Sequence, residues 1–460
     1  MKYFRLLIGI GSIALTACTR IPTSTPDLSP QSVITSAPTI LSPSVITPAP
    51  TISPSSVITP APTISPSSVI TPAPTISPSS IGARATPIVP PPAIIPNVVP
   101  LPAPGIIVPP LPAQVGDYQV IDELKQPQFM AQSRDILRAA SLPHAKVNFN
   151  AADLLIVLKS TRKYFSNRLD SDPDLQREGI LGTQGVKMTD ILKTLDFMVL
   201  TLQQDIKAKR SIRLQDPKFL NTNFRSIQWT AFNPTAVDEK RVRMTKYAVF
   251  THPGSRTPTK EFTAGLYALK PDTDVDAIRL KYTKQDVLTN IYEPKGIEFG
   301  TVEPLAYLDR EGLESALMEG TILIKFTDGT SRFFNVDRNN NIPFVKGLNP
   351  TEQKRYWYFK PVTAIKGFGQ TIETKISLKP GVTFAGDVLN IGLGRIVVRE
   401  NSIDGKPQLH MGIIADTGGA FLPNLHQLDF LAGVFDSKED FAAYTRKLPE
   451  YTKAYILVKR

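Results

Sequence analysis

The stretch Met411-Gly-Ile-Ile-Ala-Asp416-Thr417-Gly418-Gly419-Ala420-Phe421, continued by Gln427-Leu-Asp429-Phe-Leu-Ala-Gly433, decides the fold of this chain. Its pattern predicts an apolar strand, a glycine-containing turn and a second apolar strand. Asp416 and Asp429 each stand among apolar residues, where burial raises the pKa of a carboxyl group and suits it to proton transfer. Solvated strand ends or turn caps explain the same pattern, and spacing alone favours that simpler interpretation.

Composition and charge exclude several classes of protein. The 460 residues include 52 Lys and Arg against 41 Asp and Glu, which gives a formal net charge of +11. This excess is weak and dispersed, and no basic helix or aromatic RNA-binding motif accompanies it, so nucleic acid is not a predicted partner. One cysteine allows neither an internal disulfide nor a thiolate zinc cluster. The four histidines are scattered, so no metal site and no cofactor are predicted.

The N-terminus has the pattern of a bacterial lipoprotein signal. Lys2 and Arg5 precede an apolar run over residues 6–15, which is too short to span a bilayer comfortably. Leu15-Thr-Ala-Cys18 resembles a lipobox, and an ordinary secretory signal with an incidental cysteine is the alternative. We therefore expect residues 1–18 to contain the signal and Cys18 to carry the lipid that anchors the chain to a membrane. Thr19, in place of an aspartate, implies the periplasmic face of the outer membrane.

Residues 19–115 are rich in Pro, Ser, Thr and small apolar residues. A unit of about 12 residues recurs there, as in residues 53–64 and 65–76. Proline at this density fixes φ and removes backbone donors, so neither helix nor sheet can propagate. The segment is predicted to be a disordered, polyproline-like tether, which suits an anchored protein that must reach a distant target.

The remaining residues have the composition of a globular protein. Asn150 is placed to cap a helix with an apolar face, and a second amphipathic helix is predicted over residues 188–207. From about residue 224 onward the pattern changes to short strands separated by turn signals. The predicted strands cover residues 246–250, 322–326, 332–336, 356–359, 383–389, 395–398 and 454–458. The fold class is therefore mainly β, with a barrel and N-terminal helices packed outside it.

Several motifs, in order, resemble those of the membrane-bound lytic murein transglycosylase A (MltA) family. Residues 415–420 resemble the Asp-Thr-Gly-Gly-Ala turn of its three-aspartate domain, and residues 428–430 resemble the Asp-aromatic pair that follows. The other matching segments are residues 244–248, 253–258, 282–284, 318–323, 328–329, 358–361, 366–367 and 379–384. The resemblance covers most of the chain from about residue 150 to residue 460.

The resemblance implies a double-psi β-barrel catalytic domain with a second, inserted β domain. The expected limits are 116–245 for the helices and the start of the barrel, 246–345 for the insertion and 346–460 for the rest of the barrel. The implied activity is that of a lyase on peptidoglycan glycan strands, which cleaves the β-1,4 bond between N-acetylmuramic acid and N-acetylglucosamine. The reaction leaves a 1,6-anhydro ring and serves cell-wall turnover.

The resemblance also assigns residue roles. It implies that Asp429 is the single acid/base and that Asp416 supports it. The turn Thr417-Gly418-Gly419 is expected to let the backbone approach the sugar, although a tight turn alone explains the glycine pair equally well. Tyr247 and Gly320 are expected to contact the glycan. Residues 356–358 offer aromatic rings for sugar stacking, of which at least two are expected to be core.

Two positions depart from the family pattern. The second tyrosine of a Tyr-Tyr pair is Ala248 here, and the glutamine of a Gln-Gly-Ser-Gly segment is Met318 or Glu319. These positions line the glycan groove in the family. The alternative function is therefore a non-catalytic peptidoglycan-binding lipoprotein with an altered groove.

Overall fold

The computed structural model describes residues 116–345, 347–418, 421 and 423–460. The predicted signal, the predicted lipidation site Cys18 and the predicted tether lie outside these residues, and so does Gly419. Among the helices within these ranges, none combines the length and the apolar character that a membrane crossing requires.

Strands make up most of the regular structure. They are β1 (Asp117–Ile121), β2 (Pro127–Gln132), β3 (Leu137–Ala140), β4 (Val147–Asn148), β5 (Phe224–Trp229), β6 (Val242–Gly254), β7 (Ala264–Leu269), β8 (Val302–Leu308), β9 (Thr321–Phe326), β10 (Ser331–Asn339), β11 (Trp357–Val362), β12 (Thr383–Ala385), β13 (Ile396–Ile403), β14 (Lys406–Asp416), β15 (Gln427–Phe435) and β16 (Tyr451–Lys459).

The helices are fewer, and two of them are long. They are α1 (Ser133–Ile136), α2 (Ala151–Arg168), α3 (Met188–Lys207), α4 (Pro217–Asn223), α5 (Val275–Arg279), α6 (Lys284–Val287), α7 (Arg310–Ala316) and α8 (Lys438–Thr445). Short 3₁₀ helices occur at Gly179–Gln184, Arg213–Gln215 and Pro350–Glu352, and a π-helical turn at Val388–Gly392.

Six of the described strands close into a barrel. The pairing runs β6–β15–β12–β14–β13–β16, and β16 pairs again with β6. The β6–β15 and β12–β14 pairs are parallel, and the other pairs in the ring are antiparallel. The long helices α2 and α3 pack against each other, with α2 on β14 and α3 on β16. The predicted mainly β fold, with a barrel and external N-terminal helices, is confirmed.

Strand β6 belongs to two packed bodies. Its first part pairs with β15 in the barrel, and residues 251–254 pair with β9. The second body has its own hydrophobic core, which includes buried side chains from Ala264 to Phe359, separate from the barrel core. The domain limits stay a prediction. The limit expected between residues 245 and 246 falls within β6.

The predicted helices agree closely with the structure. Asn150 caps α2, since its side chain accepts a hydrogen bond from the Asp153 N–H at 3.1 Å, and α3 spans the predicted residues 188–207. The strand predicted over residues 383–389 is too long. It ends at Ala385, because the Asp387 side chain accepts the N–H groups of Leu389 and Asn390 and so caps a helical turn instead.

Candidate active site

Ala385 lies between the two aspartates of the opening stretch. It pairs with Asp416 on β14 and with Asp429 on β15, so the two aspartates stand on strands separated only by β12. Since neighbouring strands lie about 5 Å apart, the two backbones are on the order of 10 Å apart. Residues in register across a sheet project from the same face, so the two carboxyl groups share one side of the barrel wall.

A β-bulge sets the direction of Asp416. Phe384 pairs with Ile414, but the next residue, Ala385, pairs with Asp416, so Ala415 is the extra residue. An extra residue reverses the alternation of side chains in the strand. Without the bulge, Asp416 would project from the same face as Ile414, which is fully buried in the barrel core.

A cavity of about 590 Å³ is lined by residues from both packed bodies. Every predicted site residue that the structure describes in the globular part contributes to its wall. These residues are Tyr247, Gly320, Asp416, Thr417, Gly418 and Asp429. The fold thus brings together residues that are far apart in the chain. Beside this site, for example, the Gln427 side-chain amide donates a hydrogen bond to Thr245, 182 positions away.

Asp416 has a hydrogen-bond donor on each carboxyl oxygen. Oδ1 accepts the backbone N–H of Thr417 at 2.9 Å, and Oδ2 accepts the Tyr247 hydroxyl at 2.9 Å. Burial raises the pKa of Asp416 to about 7, against the lowering effect of these donors and of the Lys375 ammonium. Burial also holds the pKa of Tyr247 well above its usual value, so the phenol stays neutral and donates.

Asp429 has a different environment. Its Oδ1 atom is buried and has no hydrogen-bond partner among the described residues. Burial raises the pKa of Asp429 to about 6, while the Thr245 hydroxyl and the Lys246 ammonium lower it. An ionised carboxylate is stabilised by donors, and an oxygen without one favours the protonated form. The pKa order alone favours Asp416 as an acid, whereas the hydrogen bonds distinguish Asp416, with a donor on each oxygen, from Asp429, whose Oδ1 has none.

The turn after Asp416 is fixed at its first residue. The Thr417 hydroxyl donates to the Gly386 carbonyl at 2.9 Å, which ties the end of β14 to the end of β12. At Gly418 an added Cβ would meet only the Phe421 ring, at 3.8 Å, and at Gly320 it would meet nothing within 4 Å. Both glycines therefore leave open space on the cavity wall.

We expect Gly320→Leu to weaken glycan binding about tenfold, because the side chain would occupy the open space in the cavity. Stability should stay within about 0.5 kcal/mol. The matched control is Gly367→Ala, whose Cβ would lie 2.8 Å from the Ala415 carbonyl oxygen. That change should lower the free energy of unfolding by about 1 to 3 kcal/mol. Glycan titration measures the affinity of each variant, and urea unfolding measures its free energy of unfolding. Normal glycan binding by Gly320→Leu would show that this wall is not part of the binding site.

The aromatic cluster at residues 356–358 does not reach the cavity. Tyr356 and Tyr358 are fully buried in the second core, and Trp357 stacks against the Arg355 guanidinium at 4.2 Å from the ring centroid. The expectation that at least two of the three are core residues is confirmed. Of the predicted aromatic contacts, Tyr247 alone lines the described cavity.

The departures from the family pattern also lie on this cavity wall. Ala248, Met318 and Glu319 line it. The Glu319 carboxylate accepts the Phe250 N–H at 3.3 Å and the Ser315 hydroxyl at 3.2 Å, and it lies 3.2 Å from His252 Nε2. These contacts hold the carboxylate in place at the edge of the cavity.

Several polar residues that line the same cavity received no site role from the sequence, among them Lys366, Lys375, Asn335 and Gln370. Asn335 had a signal, because it is a polar residue between the apolar residues Phe334 and Val336 of strand β10. Lys375 had none, since only the tertiary fold brings it to the cavity. Within the described ranges, no group of three His, Cys, Asp or Glu side chains is arranged to hold a metal ion.

Comparisons with known proteins give structural matches only. No protein-family model and no curated protein matches the sequence. A membrane-bound lytic murein transglycosylase from Agrobacterium tumefaciens matches with 15% identity and a TM-score of 0.48, over 71% of this chain and 98% of that one. E. coli MltA with bound chitohexaose matches with 17% identity and a TM-score of 0.45, over 70% and 94%. MltA from Neisseria gonorrhoeae matches with 16% identity and a TM-score of 0.44, over 70% and 92%.

Proposed function

We propose that this chain is a peptidoglycan lytic transglycosylase of the MltA family. It cleaves the β-1,4 bond between N-acetylmuramic acid and N-acetylglucosamine without water and leaves a 1,6-anhydro ring. The observation that carries the proposal is the unequal pair of carboxyl groups on one cavity wall. Both carboxyl groups have raised pKa values, but Asp416 is held by a donor on each oxygen, whereas Asp429 has one oxygen without a donor.

Asp429 carries out both proton transfers in this proposal. In its neutral form it donates its proton to the glycosidic oxygen, and the bond from that oxygen to C1 of the muramic acid breaks. The resulting Asp429 carboxylate then takes the proton from the C6 hydroxyl of the same sugar, whose oxygen bonds to C1. Asp429 is thereby protonated again, so one group suffices where hydrolysis needs two carboxylates and a water molecule.

Asp416 and Tyr247 position the site. The Tyr247 hydroxyl reaches Asp416 from β6, across the two strands that lie between them in the barrel. This contact fixes the Asp416 carboxyl group beside the sugar, and we assign it a supporting role. Thr417, Gly418 and Gly320, with Gly419 from the part of the turn that is not described, contact the glycan in this proposal. The open space at Gly320 and Gly418 supports this assignment.

The rate of cleavage should fall as pH rises through about 6. Burial raises the pKa of Asp429 to about 6, so the proton needed in the first step is present below that pH and lost above it. We expect kcat/KM to decrease on the order of tenfold for each pH unit above about 6. Initial rates from about pH 5 to about pH 8 test this, and a rate that rises with pH through this range would contradict the assignment of an acid.

The N-terminal motifs support a location in the cell envelope. We propose that Cys18 is lipidated, that the chain is anchored at the periplasmic face of the outer membrane and that the proline-rich segment lets the folded part reach the wall. The lipobox pattern and the density of proline support this part of the proposal. Labelling of the parent and of Cys18→Ser with a fatty-acid probe tests it, and label on the variant would count against it.

A second candidate function is peptidoglycan binding without cleavage. The specific observation in its favour is that Ala248 and Glu319, which depart from the family pattern, both line the cavity. The loss of a tyrosine ring and the presence of a carboxylate change the surface that faces the glycan.

One experiment separates the two functions. The full chain is incubated with purified peptidoglycan, and soluble glycan fragments and sedimented protein are both measured. A transglycosylase releases fragments, and Asp429→Asn sediments with the wall but releases none. If the parent chain sediments with peptidoglycan and releases no fragments, the binding function is correct and the transglycosylase proposal is wrong.

A further inference from the structure

A hairpin spanning residues 365–378 carries two lysines to the cavity. Its two arms are joined by hydrogen bonds from Gly367 N–H to the Ile376 carbonyl and from Ile376 N–H to the Phe368 carbonyl, both at 2.9 Å. Phe368 N–H donates to the Ala415 carbonyl at 3.1 Å, so the hairpin is fixed to the residue that precedes Asp416. Lys366 and Lys375 both line the cavity that contains the two aspartates.

Among the residues that the structure describes, the Lys375 ammonium donates hydrogen bonds only to neutral acceptors. It donates to Asn335 Oδ1 at 2.7 Å and to the Val336 carbonyl at 3.0 Å. The Asn335 amide in turn donates to the Gly320 carbonyl at 2.7 Å, which connects this lysine to the predicted glycan wall. Lys375 is partly buried, and this burial lowers the pKa of its ammonium group.

The Lys366 ammonium has a similar environment. Within the described part of the chain, it donates a single hydrogen bond, to the Ser377 hydroxyl at 3.2 Å. Burial lowers its pKa, and the neighbouring Lys163 ammonium lowers it further. A second positive charge is therefore held near the same cavity in spite of unfavourable surroundings.

Neither ammonium forms an ion pair with any carboxylate in the described part of the chain. Asp337 attracts Lys375 over a distance, but its own carboxylate pairs with Lys360 at 3.2 Å and with Arg338 at 3.5 Å. Partly buried charges in proteins are normally paired, because desolvation without a counter-charge is unfavourable. Asp416, in the same cavity, attracts Lys375 more strongly than Asp337 does, but it forms no ion pair with it. The two cations therefore have no described carboxylate in direct contact, and a ligand carboxylate can supply one.

We propose that Lys366 and Lys375 bind a carboxylate group carried by the glycan strand, so that the site selects acidic glycans over neutral ones. The inference rests on the proposed function in taking a glycan as the ligand of this cavity. On peptidoglycan the carboxylate has two sources, the lactate of an unsubstituted muramic acid and the stem peptide of a substituted one. Either presents the planar oxygen pair that accepts hydrogen bonds from two ammonium groups.

Binding without cleavage tests the inference. The full chain carrying Asp429→Asn is titrated with peptide-free glycan strands, with peptide-bearing strands and with neutral chitohexaose. We expect at least one acidic ligand to bind about tenfold or more tightly than chitohexaose, since a charge-assisted hydrogen bond contributes about that factor. The tighter of the two acidic ligands identifies the source of the carboxylate. The preference should also shrink as salt is added.

Lysine variants test the same inference at the level of residues. Lys366→Met combined with Lys375→Met should reduce the preference to about threefold or less, because the affinity for acidic glycans should fall more than the affinity for chitohexaose. The two Lys→Arg changes should keep most of the preference, and Lys406→Met, at an exposed lysine in the β13–β14 hairpin, should have no effect. Thermal unfolding checks that each variant is folded.

The outcomes separate this inference from the proposed function. Equal affinity of the parent for acidic and neutral glycans would overturn the inference. It would also be overturned if the Met variant lost affinity for acidic glycans and for chitohexaose by the same factor. If the parent chain prefers acidic glycans but never cleaves them, the transglycosylase proposal fails and the carboxylate site stands. Absence of binding to every glycan would overturn both.

Discussion

Asp429→Asn should lower the rate of 1,6-anhydro product release by about 10³-fold while leaving glycan binding within about threefold. The asparagine has nearly the shape of the aspartate but can neither donate a carboxylic proton nor accept one back. Both steps of the proposed reaction use this group, so its loss affects bond cleavage and ring closure together. Single-turnover rates with purified peptidoglycan measure the effect, and a sedimentation assay measures binding.

The matched control is Asp416→Asn on the same cavity wall. Its side chain keeps an oxygen that accepts a hydrogen bond from Thr417 or Tyr247, so we expect a smaller loss, about 10- to 100-fold. If Asp416→Asn abolishes the reaction while Asp429→Asn retains most of it, the two roles must be exchanged. The higher pKa of Asp416, about 7 against about 6 for Asp429, makes this comparison informative.

Asp387→Ala should lower the free energy of unfolding by about 3 kcal/mol or more. The fully buried side chain of Asp387 accepts the N–H groups of Leu389 at 3.0 Å, of Asn390 at 2.8 Å and of Asn424 at 2.8 Å, and the Asn390 side-chain amide at 2.7 Å. Asn424 lies in the segment between the two site aspartates. Alanine would leave these buried donors without an acceptor and would release that segment from the end of β12.

Urea unfolding at two pH values tests the stability effect. Burial raises the folded-state pKa of Asp387 from 3.8 to about 6, so ionisation weakens the folded state as pH rises between these values. The difference between the parent and Asp387→Ala should therefore be larger near pH 5 than near pH 7. The exposed Asp238→Ala is the control and should stay within about 0.5 kcal/mol. If Asp387→Ala lowered the free energy of unfolding no more than Asp238→Ala does, the structural role of Asp387 would be contradicted.

Local sequence patterns predict much of this fold, because the signals are of short range. The Asn150 cap and the apolar stripe over residues 188–207 depend only on neighbours one or two turns away, and both helices form where they are predicted. The alternation of strands and turns likewise predicts the barrel. The candidate site follows from the order of motifs, and the six site residues that these motifs predict and the structure describes line one cavity.

Other features depend on contacts that the sequence does not display. The bulge at Ala415 follows the apolar run Met411–Ile414 of β14, and no polar residue within that run marks where the alternation changes. The turn after Ala385 forms because the Asp387 carboxyl group accepts hydrogen bonds from buried N–H groups. One of these donors, Asn424, lies 37 positions away in the chain. Lys375 reaches the cavity through the hairpin at residues 365–378, and nothing in its neighbours along the chain distinguishes it from a surface lysine.

The most direct test of the account is the mass of the glycan ends that the chain makes from purified peptidoglycan in water enriched in heavy oxygen. Cleavage by Asp429 with the C6 hydroxyl as nucleophile predicts muramic acid ends that are one water lighter than reducing sugars and contain no heavy oxygen. These products should be missing with Asp429→Asn. Reducing ends that have taken up heavy oxygen would mean that water is the nucleophile, and would contradict the central claim.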